Sequence, residues 1–220
     1  MKKEIKIEEL YKSLLLLQPS RPILCTTKNE DGTDHVAPFS WITPVSQKPP
    51  RVAMALLSKP QKQHSLENIE RIGEFIVNMP DLRIAEKMIE CSYSTKFGEN
   101  KFDRSGFTRI PSVEVEPVSI GECKAHLECK VVSIQDVGDH ALIIADVIHA
   151  QYDDKAFTPE MLINTTEYDP CIHIQSYNLN NSQLHIFINP TGSYVVEVPY
   201  PKALNTNEND EKNCEERRNL

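Results

Sequence analysis

The chain has 220 residues, 40% of them hydrophobic and 25% charged, and its formal net charge at pH 7 is −8. This size fits one domain that can bury a core. The acidic balance argues against a nucleic-acid partner, because there is no basic excess to neutralise phosphates. The longest apolar run near the N-terminus, residues 14–17, is far too short to span a bilayer. We therefore expect a cytoplasmic protein with no membrane partner.

The cysteines carry no C-x-x-C pair and are scattered along the chain at Cys25, Cys91, Cys123, Cys129, Cys171 and Cys214. This spacing predicts neither a zinc knuckle nor a redox dithiol. We expect free, mostly buried thiols, as in a reducing compartment.

Hydrophobic spacing predicts many strands and few helices. In chain order the pattern favours a helix over 4–17, strands over 23–27, 35–45 and 52–57, a helix opening near Ser65, a strand over 75–79, a helix after Asp81, and strands over 124–134, 141–150, 172–176, 184–188 and 194–198. This order predicts a mainly antiparallel β-barrel with a few short helices. Residues 1–200 are expected to form one domain, and the polar residues 201–220 a disordered tail.

Prolines and glycines mark the bends of the first half. Gly32 suits a turn between the first two strands. Pro38 and Pro44 each lack an N–H, so the return strand over 35–45 is expected at a sheet edge or bulge, with a kink. Residues 92–112 have no clean period and are predicted to form a loop.

Helix capping is open to two interpretations around residue 60. Ser65 is a good N-cap, with Gly73 in the position after the helix. Ser58 offers a rival start, because Ser58-Lys59-Pro60-Gln61 fits a capping box. Further along, Leu127, Cys129 and Val131 alternate with His126, Glu128 and Lys130, which predicts one buried and one solvated strand face.

Polar residues gather at the ends of these predicted elements. Ser40 and Thr43 close one strand, Ser58 and Lys59 follow the next, and His64 and Ser65 open a helix. Hydroxyls, a cation and free helix N–H groups can together bind one anion, most plausibly a phosphate. Taken singly, the first two are ordinary strand-edge hydroxyls, and Lys59 is a solvated lysine.

Two aromatic residues allow either a structural or a binding role. Trp41, the single tryptophan, is a core or interface aromatic or else lines a flat ligand. His140 is a turn residue or a binding residue. His126 and Glu128 are too few for a metal site, so none is expected. No Ser/His/Asp or Cys/His set and no G-x-G-x-x-G loop is present.

Several segments within residues 20–150 resemble, in order, the flavin reductase-like family with the FMN-binding split barrel, which includes the flavoredoxins. The segments are RPILCTT, DGTDHVAPFSWITPVSQKPP, HSLENIERIGEFIVN and GDHALIIADV. The resemblance implies an antiparallel, Greek-key-like split β-barrel that forms a homodimer and binds FMN near the subunit interface. It also implies electron exchange with NADH or NADPH, or with a redox partner protein.

The resemblance carries over to individual positions. It implies that the isoalloxazine and ribityl groups meet Ser40, Trp41, Ile42 and Thr43, that the phosphate side meets Ser58, Lys59, His64 and Ser65, and that His140 serves nicotinamide binding. The chain departs from the family pattern at His35, where asparagine is common, and at Ser65, where threonine is common.

The sequence thus favours an FMN-binding oxidoreductase that passes electrons from NADH or NADPH through flavin to a further acceptor. One alternative is a flavoredoxin-like electron carrier without its own nicotinamide site. Another is a non-catalytic barrel that binds haem or a different flavin. The likeness fades beyond residue 150, where we expect substrate and partner specificity to lie.

Overall fold

The computed structural model describes residues 2–94, 100–178, 182–189 and 192–199. The strands are β1 (Ile23–Lys28), β2 (Asp34–Phe39), β3 (Ile42–Gln47), β4 (Pro50–Leu57), β5 (Glu74–Met79), β6 (Arg109–Ile110), β7 (Ser119–Ile120), β8 (Ala125–Asp136), β9 (His140–Tyr152), β10 (Ile172–Asn178), β11 (Ser182–Asn189) and β12 (Gly192–Pro199). The helices are α1 (His64–Ile72), α2 (Ala85–Glu90), α3 (Lys101–Ser105) and two 3₁₀ helices, Ile7–Leu17 and Leu82–Ile84. The expected class, mainly β with short helices, is confirmed.

Seven strands form one antiparallel sheet in the order β2-β1-β5-β8-β9-β4-β3. The prediction of one return strand over 35–45 is wrong, because the strand breaks at Ser40 and Trp41 into β2 and β3. These two strands lie on opposite edges of the sheet. Pro38 and Pro44 therefore both lie on edge strands, where a missing N–H breaks no interior ladder.

The core has two clusters, and β1 contributes to both because its successive side chains point to opposite faces. Ile23 belongs to the cluster that includes Leu66 and Ile69 of α1. Leu24 belongs to the cluster that includes Met88 of α2. A strand covered on both faces explains why β1 carries no alternating pattern.

Helix α1 ends as predicted but begins differently. Gly73 follows it with a φ of 71°, in the left-handed region that favours glycine. The N-cap is Gln63, whose side chain makes no capping hydrogen bond. Ser65 is the second helical residue and is buried, so neither Ser65 nor Ser58 is the cap. Asp81 caps as expected, accepting from the Arg83 N–H at 2.9 Å, although the helix that it opens is 3₁₀.

The N-terminal prediction and the loop prediction both need correction. The first helix is 3₁₀ over Ile7–Leu17 and buries none of its side chains, so its apolar stripe faces outward. Within 92–112, the structure has α3 and β6, while residues 95–99 lie outside the described part of the chain. Asn100 caps α3 by accepting from the Phe102 N–H at 2.8 Å, and a helix of five residues is too short for its period to be visible.

The face of β8 that was predicted to be solvated is buried at His126 and Glu128 only. His126 and Glu128 are 8% and 2% exposed, whereas Lys130 is exposed. The carboxylate of Glu128 accepts from the backbone N–H groups of Val113 and Glu114, at 2.9 and 2.6 Å. The loop before β7 therefore covers this face, which a strand pattern cannot anticipate.

The C-terminal part docks onto the start of the sheet. Ser20 and His173 exchange two backbone hydrogen bonds of 2.9 and 2.8 Å. Tyr168 is buried, and its hydroxyl donates to the Pro80 carbonyl at 3.3 Å. The three predicted C-terminal strands are confirmed as the sheet β10-β11-β12. The expected disordered tail, 201–220, lies outside the described residues.

None of the helices in the described ranges combines the length and apolar character needed to cross a bilayer.

Candidate flavin site

The break between β2 and β3 places Ser40 and Trp41 beside the start of β9, where His140 is the first residue. The Trp41 carbonyl accepts from the Ala55 N–H of β4 at 2.9 Å, which fixes the crossing chain. The Trp41 ring stacks on His140, with centroids 4.7 Å apart and planes 26° apart. Trp41 is nevertheless 48% exposed, so the part of its surface that does not contact His140 is accessible to solvent or to a ligand.

The turn between β8 and β9 holds the end of β4. The Asp139 carbonyl accepts from the backbone N–H groups of Ser58 and Lys59, at 2.8 and 3.1 Å, and from the Ser58 hydroxyl at 3.1 Å. The Lys59 ammonium lies 2.6 Å from the Asp136 carboxylate, and both side chains are 61% exposed. The hydrogen bond from Lys59 lowers the pKa of Asp136. An ion pair this exposed is weak and can exchange partners.

The start of α1 adjoins the same strand end. Gln63 accepts from the Leu57 N–H through Oε1 at 2.9 Å, and its own N–H donates to the Leu57 carbonyl at 3.0 Å. His64 Nε2 donates to Asn29 Oδ1 at 2.8 Å. The Ser65 hydroxyl is buried and has no hydrogen-bond partner in the described structure. An uncapped helix start with an unsatisfied hydroxyl can accept an anion.

A cavity of about 320 Å³ lies between the Trp41–His140 pair and helix α2. Three predicted site residues line it, namely Ser40, Trp41 and His140. The sequence analysis missed the rest of its wall, which consists of Pro22, Pro38, Phe39, Ala55, Gln63, Met88, Ile89, Ser92 and His173. Met88 and Ile89 are buried residues of α2, and two backbone hydrogen bonds with Ser20 hold His173 beside the cavity.

The other predicted residues do not line this cavity. Ile42 packs against the barrel core, and exposed Thr43 has its hydroxyl 3.4 Å from the Pro44 carbonyl. Ser58 and Lys59 lie at the hairpin turn, and His64 and Ser65 lie at the start of α1. Of the predicted residues, Ser40, Trp41 and His140 thus lie on the cavity wall, and Ile42 and Thr43 lie away from it. An adjoining polar rim consists of Ser58, Lys59, His64 and Ser65.

His35 is a buried polar member of this rim. Its ring meets that of His64 with centroids 4.7 Å apart. Burial, with the nearby charges of Lys101 and His64, lowers the pKa of His35 to about 3. Asn68 Nδ2 donates to Thr27 Oγ1 at 3.0 Å and to Asn29 Oδ1 at 2.9 Å. These contacts tie α1 to the turn between β1 and β2.

Cysteine and metal chemistry add nothing to this site. The five cysteines that the structure describes, Cys25, Cys91, Cys123, Cys129 and Cys171, are buried free thiols, as predicted. Burial raises the pKa of Cys91 to about 11 and of Cys129 to about 12. Outside the masked positions, no group of three or more His, Cys, Asp or Glu side chains is placed to hold a metal ion.

The fold matches a solved structure described as "putative flavin reductase with split barrel domain", from Shewanella frigidimarina, with a TM-score of 0.67 and 18% identity, over 90% of this chain and 94% of its own. Residues 17–171 match the family described as "Flavin reductase like domain", and the chain belongs to that family. An uncharacterized protein of Archaeoglobus fulgidus is 30% identical over 146 residues, covering 66% of this chain and 80% of its own.

Further solved structures share the fold. The 2-nitrobenzoate 2-nitroreductase NbaA of Pseudomonas fluorescens matches with a TM-score of 0.71 and 22% identity, over 91% of this chain and all of its own (100%). The flavoredoxin of Desulfovibrio vulgaris matches with a TM-score of 0.66 and 19% identity, over 94% of this chain and 99% of its own.

Proposed function

We propose that this protein is an FMN-binding oxidoreductase of the flavin reductase type, which takes electrons from NADH or NADPH and passes them to a further acceptor. The observation that carries the proposal is the meeting of Trp41, His140, Ser58 and the start of α1 at one end of the sheet. Membership of the flavin reductase-like family supports it. When bound, FMN supplies the electron chemistry, so the chain itself needs only to bind, orient and gate.

The residues present fit a flavin phosphate. The N–H groups that open α1 lack a side-chain cap, and the buried Ser65 hydroxyl lacks a partner. A phosphate dianion would satisfy both, with Lys59 transferring from Asp136 to the phosphate. We assign His64 and the Ser58 hydroxyl to the same phosphate side.

The ring side of the flavin is assigned to the β2–β3 crossing. Ser40, Trp41, Ile42 and Thr43 supply backbone donors and acceptors along this crossing, and Trp41 supplies a flat surface. His140, next to Trp41 on the cavity wall, is assigned to the nicotinamide.

A homodimer is part of the proposal. Trp41 is half-exposed beside the cavity, and the 3₁₀ helix Ile7–Leu17 leaves Ile7, Leu16 and Leu17 more than three-quarters exposed, at 85%, 76% and 79%. Apolar surface of this kind is often covered by another subunit. Light scattering of the purified protein tests this, and a monomeric mass with bound FMN contradicts it.

The central experiment measures flavin binding and reduction together. Purified protein is titrated with FMN and with riboflavin, then reduced anaerobically by NADH or NADPH while the visible spectrum is recorded. Tighter binding of FMN than of riboflavin is expected, with bleaching by one of the nucleotides. Lys59→Met should reduce the difference in affinity between FMN and riboflavin. Lys62→Met is the matched control, because Lys62 pairs with Glu70 on α1 at 2.7 Å. A colourless protein that retains no FMN contradicts the proposal.

A second candidate is an FMN electron carrier without nicotinamide activity. The specific observation in its favour is that the Trp41 ring already covers one face of His140. Rapid reduction by a redox protein, with no bleaching by NADH or NADPH, would favour the carrier.

A further inference from the structure

Asp139 and His140 are joined by a side-chain hydrogen bond within the turn between β8 and β9. Asp139 Oδ1 lies 2.7 Å from His140 Nδ1. The hydrogen bond from His140 lowers the pKa of Asp139, so this carboxylate is ionised at neutral pH and can only accept. Nδ1 must therefore carry the proton. In the neutral imidazole, Nε2 is then an acceptor.

The imidazole is also held by its surroundings. Trp41 covers one face of the ring. The His140 carbonyl accepts from the Val137 N–H at 2.9 Å, and the Asp139 carbonyl accepts three donors from Ser58 and Lys59. Gly138, with a φ of 118°, allows this tight turn. No hydrogen bond to Nε2 occurs in the described part of the chain, and His140 lines the cavity.

We propose that Asp139 is a positioning residue that keeps the His140 proton on Nδ1, so that Nε2 accepts a hydrogen bond from the carboxamide NH₂ of the nicotinamide hydride donor. The inference rests on the proposed function, and it adds the tautomer and the residue that sets it. Loss of the Asp139 acceptor lets the ring rotate or change tautomer, which weakens nucleotide binding more than hydride transfer.

Other charged or titratable groups surround this pair. Asp136 belongs to the same turn and is paired with Lys59 from the end of β4, and His173 of β10 lines the same cavity. Asp139 is the carboxylate that is hydrogen-bonded to the His140 ring, whereas Asp136 pairs with Lys59.

Three variants test the proposal in the full chain. Asp139→Ala should raise KM for the nucleotide about tenfold, because one charge-assisted hydrogen bond is lost, with little change in kcat. Asp139→Asn keeps an acceptor oxygen and should largely restore KM. Asp153→Asn, at the other end of β9, removes the Lys124 pair and should leave KM for the nucleotide unchanged.

NMR of the protein without nucleotide tests the tautomer of His140 independently of the proposed function. The ¹⁵N shifts of His140, assigned by comparison with His140→Gln, should show a protonated Nδ1 in the wild type and a mixture in Asp139→Ala. A wild type protonated on Nε2, or an unchanged KM in Asp139→Ala, overturns the inference. A wild type that oxidises neither nucleotide overturns the proposed function and the nicotinamide contact, whatever the tautomer.

Discussion

His35 and His64 pack edge to face, with ring centroids 4.7 Å apart and planes 61° apart. His35 is 7% exposed, whereas His64 donates to Asn29 at the surface. A buried imidazole therefore joins β2 to the start of α1 as a neutral ring.

Acid should destabilise the fold through His35. Its pKa is about 3 in the folded chain and 6.5 in the unfolded one, so the unfolded state binds more protons between these values. The contribution of neutral His35 to the free energy of unfolding is fully present above pH 6.5. It is lost as the pH falls towards 3, by up to about 1.4 kcal/mol per pH unit. His35→Asn should move the acid unfolding midpoint, followed by circular dichroism, to lower pH. His149→Asn, a change elsewhere, on β9, should leave the midpoint where it is. If both variants shift the midpoint equally, the acid sensitivity does not come from His35.

Ser65→Ala should separate folding from phosphate binding. The hydroxyl makes no cap and no hydrogen bond, so its removal should leave the free energy of unfolding without flavin unchanged or slightly raised. FMN affinity should fall by about 1–2 kcal/mol, the cost of one lost hydrogen bond to a charged group. Riboflavin, which has no phosphate, should bind the variant and the wild type equally. An equal loss for both ligands would place the phosphate elsewhere.

The strands were predictable from the sequence because their signals are local. Period-two and continuous apolar patterns predicted five strands of the seven-stranded sheet separately, and they merged β2 and β3 into one. The break at Ser40 and Trp41 was not predictable, since a kinked edge strand and two strands on opposite edges share one pattern of prolines.

The site was predictable only in part, for a similar reason. Ser40 was singled out because it closes a predicted strand, whereas Trp41 and His140 were assigned to the site through the family resemblance, and all three line the cavity. Gln63, Ser92 and His173 carry no local signal, because their place in the cavity depends on how distant segments dock. The burial of Glu128 was missed likewise, since the loop that covers it comes from another part of the chain.

Glu128→Gln should destabilise the fold by about 2 kcal/mol, because the buried carboxylate accepts two backbone N–H groups and an amide can present only one oxygen to them. The measurement is the free energy of unfolding from denaturant titration. Glu122→Gln is the matched control. Its carboxylate also accepts a backbone N–H, from Thr108, but at an exposed site, so a loss below about 1 kcal/mol is expected. Equal losses in the two variants would mean that burial of Glu128 is unimportant.

Trp41 is the only tryptophan in the chain, so its fluorescence reports on this site alone. Its ring stacks on His140 at the cavity wall, and a flavin bound beside it should quench its emission. His140→Ala removes the stacking partner and should change the emission before any flavin is added. Trp41→Phe keeps an aromatic surface, so FMN affinity, measured by flavin fluorescence, should change by less than about 1.5 kcal/mol. If FMN binds and the emission of Trp41 stays constant, the flavin ring does not lie at the β2–β3 crossing. The assignment of Ser40 and Trp41 to the ring side of the flavin is then wrong for both residues.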